Sequence, residues 1–561
     1  MKSLGGLLLA LLLAGSLWAQ ADPRVHAEWW LEQHGALEES RAPEARRIRA
    51  IFAEVVAAAD KRGGRTPRLV LLRSRRTPLA VSLPDGSVLL NHAALDLLYS
   101  PDSHSGDARA AFVLGHELAH LAQDDFWKVD AFFAPSPELN RWLQQESALA
   151  PNILKELQAD AYGLTYALQA GFPVDALLEE GDRFFERWGG QGRLHPDRDS
   201  HPPSTVRAAL LQSTLQRVRD AQALFDFGTM LLHLGRLEDA RRLLEEYHRL
   251  FPGRAVLNNL GVLEFQQAMQ DLGRCNPLLP VSIMTPLLVE AETRAELSRG
   301  PQRNCLEAEG VAPSLAQARS WLEEATRRDP RHLPSWSNLA AVLLWSQDPA
   351  GAMSAADRAL ELDRTAPEAL TLKALALHRF GSAMGLETTD RAIRVLTVLQ
   401  QRHPDFLPAA YNHAAILSER QRNAAALQAW EQVVRLPLPS PYRNYALGQL
   451  GRAPEFPKPM RVPQTSPVRL GSTSSGTPSL KLRLGSFRAT FHRQGGVEWL
   501  QLGQAVELVM QQQPEIALGN LPRPERVQHH LRGEVWQYEN FAVEVRGQDV
   551  KRAWWFAAPE R

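Results

Sequence analysis

Cysteine is nearly missing from this chain: among 561 residues there are two, Cys275 and Cys305. Neither stands directly after the N-terminal apolar run, which argues against a lipid-anchored start. Neither sign of charge is in excess, because 63 Lys and Arg balance 63 Asp and Glu. Nothing global therefore draws the chain to nucleic acid or to an anionic membrane, although peripheral membrane association stays open. The apolar run at the start, Leu4 to Trp18, is shorter than the roughly 18 residues a membrane-spanning helix needs. With Lys2 before it and Ala19-Gln20-Ala21 after it, the order is that of a signal peptide, residues 1–21. The competing reading is an uncleaved anchor. In an exported protein the two cysteines read as a disulfide, the alternative being two unrelated buried thiols.

At this length a single hydrophobic core does not suffice, so several units are expected. Ile48, Ile51, Phe52, Val55 and Val56 recur at helical spacing within Pro43 to Lys61 and predict an amphipathic helix. Leu69 to Leu72 reads as a strand. Leu79 to Leu83 and Val88 to Leu90, joined by Pro84-Asp85-Gly86, read as a hairpin, with either an ordinary structural role or an edge for an extended substrate.

The chemistry is expected at His116-Glu117-Leu118-Ala119-His120. Two histidines four residues apart share one helix face and reach one metal ion, with a glutamate beside the first. On that wheel Leu114, Leu118 and Leu121 face away from the histidines, which predicts a helix buried on one side and lining a cleft with the other. A catalytic zinc needs a third protein ligand. Glu156 is the best candidate, on a helix predicted over Asn152 to Gln169, with Asp160 one turn on to hold a ligating imidazole by its other nitrogen. The segment from Phe126 to Ala150, with Phe126, Trp127, Phe132, Phe133 and Trp142, either covers the cleft or packs on another domain.

Four ordered blocks, Leu79 to Asn91, Leu114 to Leu121, Glu156 to Gly163 and Ser200-His201-Pro202-Pro203, resemble the gluzincin family of the CAAX prenyl proteases, HtpX and the periplasmic BepA-type peptidases. The resemblance spans Leu69 to Leu211. It implies one Zn²⁺ per chain on His116, His120 and Glu156, with Glu117 as general base. It also implies that His201 is a displaceable fourth ligand or a transition-state donor, and that Arg207 faces the site. His195 competes with His201 for that role, and Asp124-Asp125 stands where relatives are often basic.

From about Ala221 the pattern changes. Leu224, Phe227, Gly228, Leu231, Ala240, Leu244, Tyr247 and Pro252 occupy the positions of a tetratricopeptide unit, small where helices cross and large in the groove between them. A second unit starts at Leu257, Leu260 and Gly261, is interrupted, and resumes with Ala318, Leu322, Ala325 and Pro330. Three more follow, marked by Trp336, Leu339 and Ala340, by Leu370, Ala374 and Leu377, and by Tyr411, Ala414 and Trp430. The interruption holds both cysteines, and a Cys275–Cys305 disulfide closing it would contribute about 3 kcal/mol. Prolines and Gly471-Ser472-Thr473-Ser474-Ser475-Gly476 mark 437–480 as a linker. Phe487/Ala489/Phe491 and Phe541/Val543/Val545 alternate as strands, with Trp536, Trp554 and Trp555 for a small core.

The expected architecture is multidomain and mainly α. It comprises a signal peptide (1–21), an α+β zincin-type peptidase domain (22–220), a tetratricopeptide α-solenoid (221–436) with an insertion around 269–313, a linker (437–480), and a small β-rich or α+β domain (481–561). The expected function is an exported, periplasmic zinc metalloendopeptidase acting on misfolded or client envelope proteins, with an extracellular location as the alternative. The repeats would recruit a client or complex. The second reading is a chaperone or assembly scaffold whose peptidase domain is latched by His201.

Overall fold

The computed structural model describes residues 26–38, 43–59, 66–75, 79–100, 105–122, 151–174, 177, 183–191, 204–250, 253–275, 284–288, 310–384, 388–421, 423–436, 440–455, 466–471, 478–484, 486–521, 526–530, 533–546 and 549–556. The signal-peptide expectation, the aromatic segment from Phe126, Asp124-Asp125, His195, His201 and Cys305 fall outside them. Among the described residues no helix is long and apolar enough to cross a membrane. The chain divides into two compact units, residues 1–218 and 219–561.

The first unit opens with α1 (Ala27–His34) and α2 (Pro43–Ala58), whose Ile48, Ile51, Phe52 and Val55 are buried as their spacing predicts. Strands β1 (Arg68–Leu72), β2 (Ala80–Ser82) and β3 (Ser87–Asn91) form a sheet in the order β1-β3-β2. The β2–β3 pair is the expected hairpin: Gly86 takes φ +89° and donates to the Leu83 carbonyl, and the Leu83 amide donates to Ser87. β2 is an edge strand of this sheet, beside β3 and next to the histidine-bearing helix. Asn91 then caps α3 (His92–Leu98), its side chain accepting from the Ala94 amide at 2.8 Å.

Helix α4 (Gly106–Leu121) differs from the one-sided helix that its apolar positions predict. Every residue from Ala108 to Ala119 is buried, because α2, α3, the sheet and α5 (Pro151–Gln169) pack around it. It is the central element of the unit, whose core joins Ile48, Leu71, Leu90, Phe112, Leu164 and Phe184. A short helix, α6 (Arg183–Gln191), supplies Phe184 and Phe185. Helix α7 (Ser204–His233) follows.

In the second unit α8 (Leu237–Leu250) packs on the later part of α7, with Gly228 against Leu244 and Phe225 against Tyr247. The further pairs are α9 (Arg254–Cys275) with α10 (Val311–Arg328), α11 (Leu333–Trp345) with α12 (Pro349–Leu362), α13 (Pro367–Met384) with α14 (Thr389–Arg402), and α15 (Leu407–Glu419) with α16 (Asn423–Val433). Small residues sit where partner helices meet: a Cβ on Gly261 would lie 2.5 Å from Leu322, and Ala340, Ala374 and Ala414 are fully buried. The break in the second repeat is shorter than 269–313, because α9 continues through Cys275 and α10 begins at Val311.

Part of 437–480 is not linker. α17 (Ser440–Gln449) places Pro441 in its first turn, where a missing N–H costs no helical bond, and Tyr442, Ala446 and Leu447 close the apolar end of the last repeat against Tyr411 and Trp430. Val468 and Leu470 pack on the following sheet, whose first strand starts at Pro478. That sheet is antiparallel throughout, from β4 (Pro478–Leu484), β5 (Phe487–Gln494), β6 (Val497–Leu502), β7 (Ala505–Gln512), β8 (Arg526–His530), β9 (Gly533–Gln537), β10 (Phe541–Arg546) and β11 (Asp549–Phe556), in the order β4-β5-β6-β7-β11-β10-β9-β8. In β10 the alternation is masked, since all of Phe541 to Val545 is buried. The cause is a second partner beside the sheet's own core: Phe491 meets Phe227 at 5.7 Å, Arg242 lies 4.9 Å over Phe487, and Arg552 pairs with both buried Glu544 and Asp226 of α7.

Trp430 is 1% exposed between Tyr411 and Tyr445. Trp430→Ala should cost about 3–5 kcal/mol, read as a lower urea midpoint for loss of helical circular dichroism.

Candidate metal centre

His116, Glu117 and His120 stand on α4, and Glu156 and Asp160 stand on α5. The two helices come close because backbone meets backbone at Gly115 and Gly163. A Cβ on Gly115 would lie 2.9 Å from the Gly163 carbonyl oxygen, and one on Gly163 would lie 2.7 Å from the His116 nitrogen and 2.8 Å from the Phe112 oxygen. No real side chain accepts such distances, so the crossing requires glycine on both helices. Asp160 and Glu156, roughly one and two turns before Gly163, are thereby carried to the histidines.

Three donors converge. His116 Nε2 lies 3.0 Å from His120 Nε2 and 3.5 Å from Glu156 Oε2, and His120 Nε2 lies 3.4 Å from Glu156 Oε1. One donor atom from each residue falls within 4.8 Å of the others. Ligands held at about 2.0–2.1 Å around a tetrahedral ion stand about 3.3 Å apart, so the set fits a metal of that size without rearrangement. Glu117 is buried beside them.

Behind the donors runs a chain of buried charge. His116 Nδ1 is 2.9 Å from Asp160 Oδ1; a carboxylate only accepts, so Nδ1 donates and Nε2 is the atom turned to the site, where a metal ion would take the place of its proton. Asp160 is 0% exposed and is gripped by Arg207, which donates from Nε to Oδ2 at 2.7 Å and from Nη2 to Oδ1. The Arg207 guanidinium lies 5.1 Å over the Phe185 ring. Burial alone would discharge all three groups, but the pairings outweigh it. Asp160 stays below the usual carboxylate range through Arg207 and His116, and Arg207 is raised by Asp160, with Glu156 and Glu117 adding to the effect. Burial likewise works against a charge on His116, yet Asp160 and Glu156 lift it to about 10. Carboxylates that favour a proton so strongly at this point favour a divalent cation in its place.

Arg207, expected to face the metal site, bonds Asp160 and lies within electrostatic reach of Glu156 and Glu117. The paired glycines were missed. The available signal was a glycine inside each of two helices, a costly choice without a packing reason. A second group, His26, Glu28 and Asp85, also gathers three donor atoms, but two of its members are exposed and Asp85 is engaged by the Ala27 and Ser87 amides and by Arg68.

Gly163→Ala should force α4 and α5 apart, costing about 1–3 kcal/mol. It should also weaken metal affinity at least tenfold in competition with a chromophoric chelator. Arg207→Met, which removes one of the two partners of the buried Asp160 carboxylate and leaves it His116 alone, should cost about 3–5 kcal/mol in urea unfolding.

Residues 42–133 match Peptidase family M48. No curated protein matches the chain. Solved structures similar to it include YrrB, described as a TPR protein with an unusual peptide-binding site, at 16% identity over 40% of this chain and 90% of that one, with a TM-score of 0.24. Yeast Tom70 is similar at 14% identity over 63% of this chain and 60% of its own, with a TM-score of 0.29. A tetratricopeptide repeat protein from Parabacteroides merdae is similar at 15% over 41% and 86%, with a TM-score of 0.25. The chain thus carries, over residues 42–133, a segment similar to Peptidase family M48, and beyond it stacked helix pairs and an antiparallel sheet.

Proposed function

We propose that the protein is a zinc-dependent metalloendopeptidase that cleaves extended segments of unfolded client proteins, which its repeats recruit. The observation that carries this reading is the convergence of His116, His120 and Glu156 with Asp160 fixed behind His116. Two imidazoles and one carboxylate are a donor set suited to a zinc site that keeps one position open for water or substrate. When bound, zinc supplies Lewis acidity, polarising the scissile carbonyl and acidifying water.

The chain's own residues supply the rest. Asp160 holds the His116 ring plane and tautomer, and Arg207 keeps Asp160 ionised. Glu117 takes a proton from the attacking water as its oxygen bonds to the carbonyl carbon, then passes that proton to the amine nitrogen as the C–N bond breaks. The edge of β2, beside α4, offers main-chain groups to an extended substrate. His201 is proposed as a displaceable donor to the same centre. Export to the periplasm is the proposed location, supported by the order of charge, apolar run and small residues over 1–21. A Cys275–Cys305 disulfide is proposed with it, supported by there being no free cysteine among the described residues.

Glu117→Gln should lower hydrolysis of an unfolded casein-like substrate by about 10²–10⁴-fold while zinc content stays at the wild-type level. His120→Ala should lose both, and a chelator should silence the wild type until zinc is restored. Digestion at the wild-type rate by purified Glu117→Gln would end the enzyme reading.

A further inference from the structure

The repeats already hold an extended piece of polypeptide, and it belongs to this chain. Residues 284–288, Met-Thr-Pro-Leu-Leu, lie inside the insertion that splits the second repeat and form neither helix nor strand, yet all five are buried. Asparagines on three repeat helices grip their backbone. Asn412 of α15 closes a two-bond clamp on Met284, its Oδ1 accepting from the amide at 2.7 Å and its Nδ2 donating to the carbonyl at 2.8 Å. Asn338 of α11 does the same at Leu288, at 2.8 Å and 2.6 Å, and Asn258 of α9 donates to the same carbonyl at 2.7 Å. Trp345 Nε1 donates to the Thr285 hydroxyl at 3.0 Å.

These asparagines lie inside the repeat core. Asn258, Asn338 and Asn412 are each 0% exposed, and a buried amide is costly unless its hydrogen bonds are met. Asn338 and Asn258 also bond each other at 2.9 Å, and Ser335 donates to Asn258, so the clamp is held in position by neighbours. Asn338 and Asn412 stand in the same place, two residues before the small residue of their helix, Ala340 and Ala414. At that place α13 has Leu372, and the middle residue of the bound segment is Pro286, which has no N–H to satisfy. Both clamps read the N–H and C=O that nearly every residue presents, so what they select is an extended main chain, with apolar side chains filling the space between.

We propose that this asparagine-lined groove is a binding site for extended apolar segments of client polypeptides, and that residues 284–288 are a built-in occupant which such a client displaces. The inference deepens the recruitment role proposed for the repeats and rests on that reading. A tethered occupant acts at an effective concentration of about millimolar, so it sets a threshold: only a client segment that binds well, or is itself concentrated, opens the groove. The extended conformation the groove selects is also the one a peptidase cleft takes. The groove and the metal centre therefore favour the same unfolded chains.

The test is binding of a fluorescein-labelled nonapeptide with the sequence of residues 282–290 to the full chain, followed by anisotropy, in the Glu117→Gln background so that the probe is not cut. Met284→Asp with Leu287→Asp should evict the internal segment and tighten peptide binding at least tenfold over the parent. Adding Asn338→Ala and Asn412→Ala should remove at least tenfold of that affinity. Equal binding by parent and eviction variant, or binding indifferent to the asparagines, overturns the proposal. Should the eviction variant fail to fold, hydrogen exchange of the parent decides: excess peptide should strip protection from the Met284 and Leu288 amides, and unchanged protection at millimolar peptide overturns the proposal. Binding that fails while the wild type still digests casein defeats this inference alone. Loss of casein digestion with intact binding defeats only the peptidase reading.

Discussion

The contact on which the first unit depends has no side chains in it. Gly115 and Gly163 let α4 and α5 touch backbone to backbone, with so little room that neither would accept a methyl group. Every later feature of the candidate metal centre follows from that approach. Asp160 reaches His116 Nδ1 directly, and Glu156 reaches both Nε2 atoms, only because the helices are closer than side chains ordinarily allow. The fold serves geometry here at a cost in helix propensity.

The second constraint is electrostatic. A fully buried aspartate is unfavourable by itself, and the unit accepts it by placing a buried arginine on one side and an imidazole on the other. Arg207, Asp160 and His116 form one hydrogen-bonded line whose far end, His116 Nε2, points at the place where His120 and Glu156 also converge. Because each member satisfies the next, the line fixes the His116 ring plane before any ligand arrives. The aromatic wall of Phe112, Phe184 and Phe185 packs about it and keeps the arginine over an aromatic face.

The second unit solves a different problem, the exposed faces left by stacked helix pairs. One end is closed by α17, whose Tyr442 and Leu447 cover Trp430 and Tyr411, and the first pair is covered by the terminal sheet through Phe491 and Arg552. The groove between is filled by the chain's own residues 284–288. A repeat array needs such covers because each helix pair buries its apolar face only against a neighbour.

The sequence by itself determined the elements and their chemistry. The spacing of Ile48, Ile51 and Val55, the Pro84-Asp85-Gly86 turn, the five repeats and the His116/His120 pair are local patterns, each written within about one or two turns of chain, and local patterns are read from one dimension. Asp160 was legible as a helper of a histidine because it follows Glu156 by one helical turn. Tertiary structure decided what no local pattern encodes. It turned α4 from a one-sided helix into a central one, gave Gly115 and Gly163 their purpose, and seated Arg207 on the carboxylate behind His116. It also made a cap of part of an expected linker, and seated Met284 and Leu288 on asparagines 128 and 50 residues away. Those outcomes depend on which surfaces meet, and surfaces far apart in sequence meet only once the whole chain has packed.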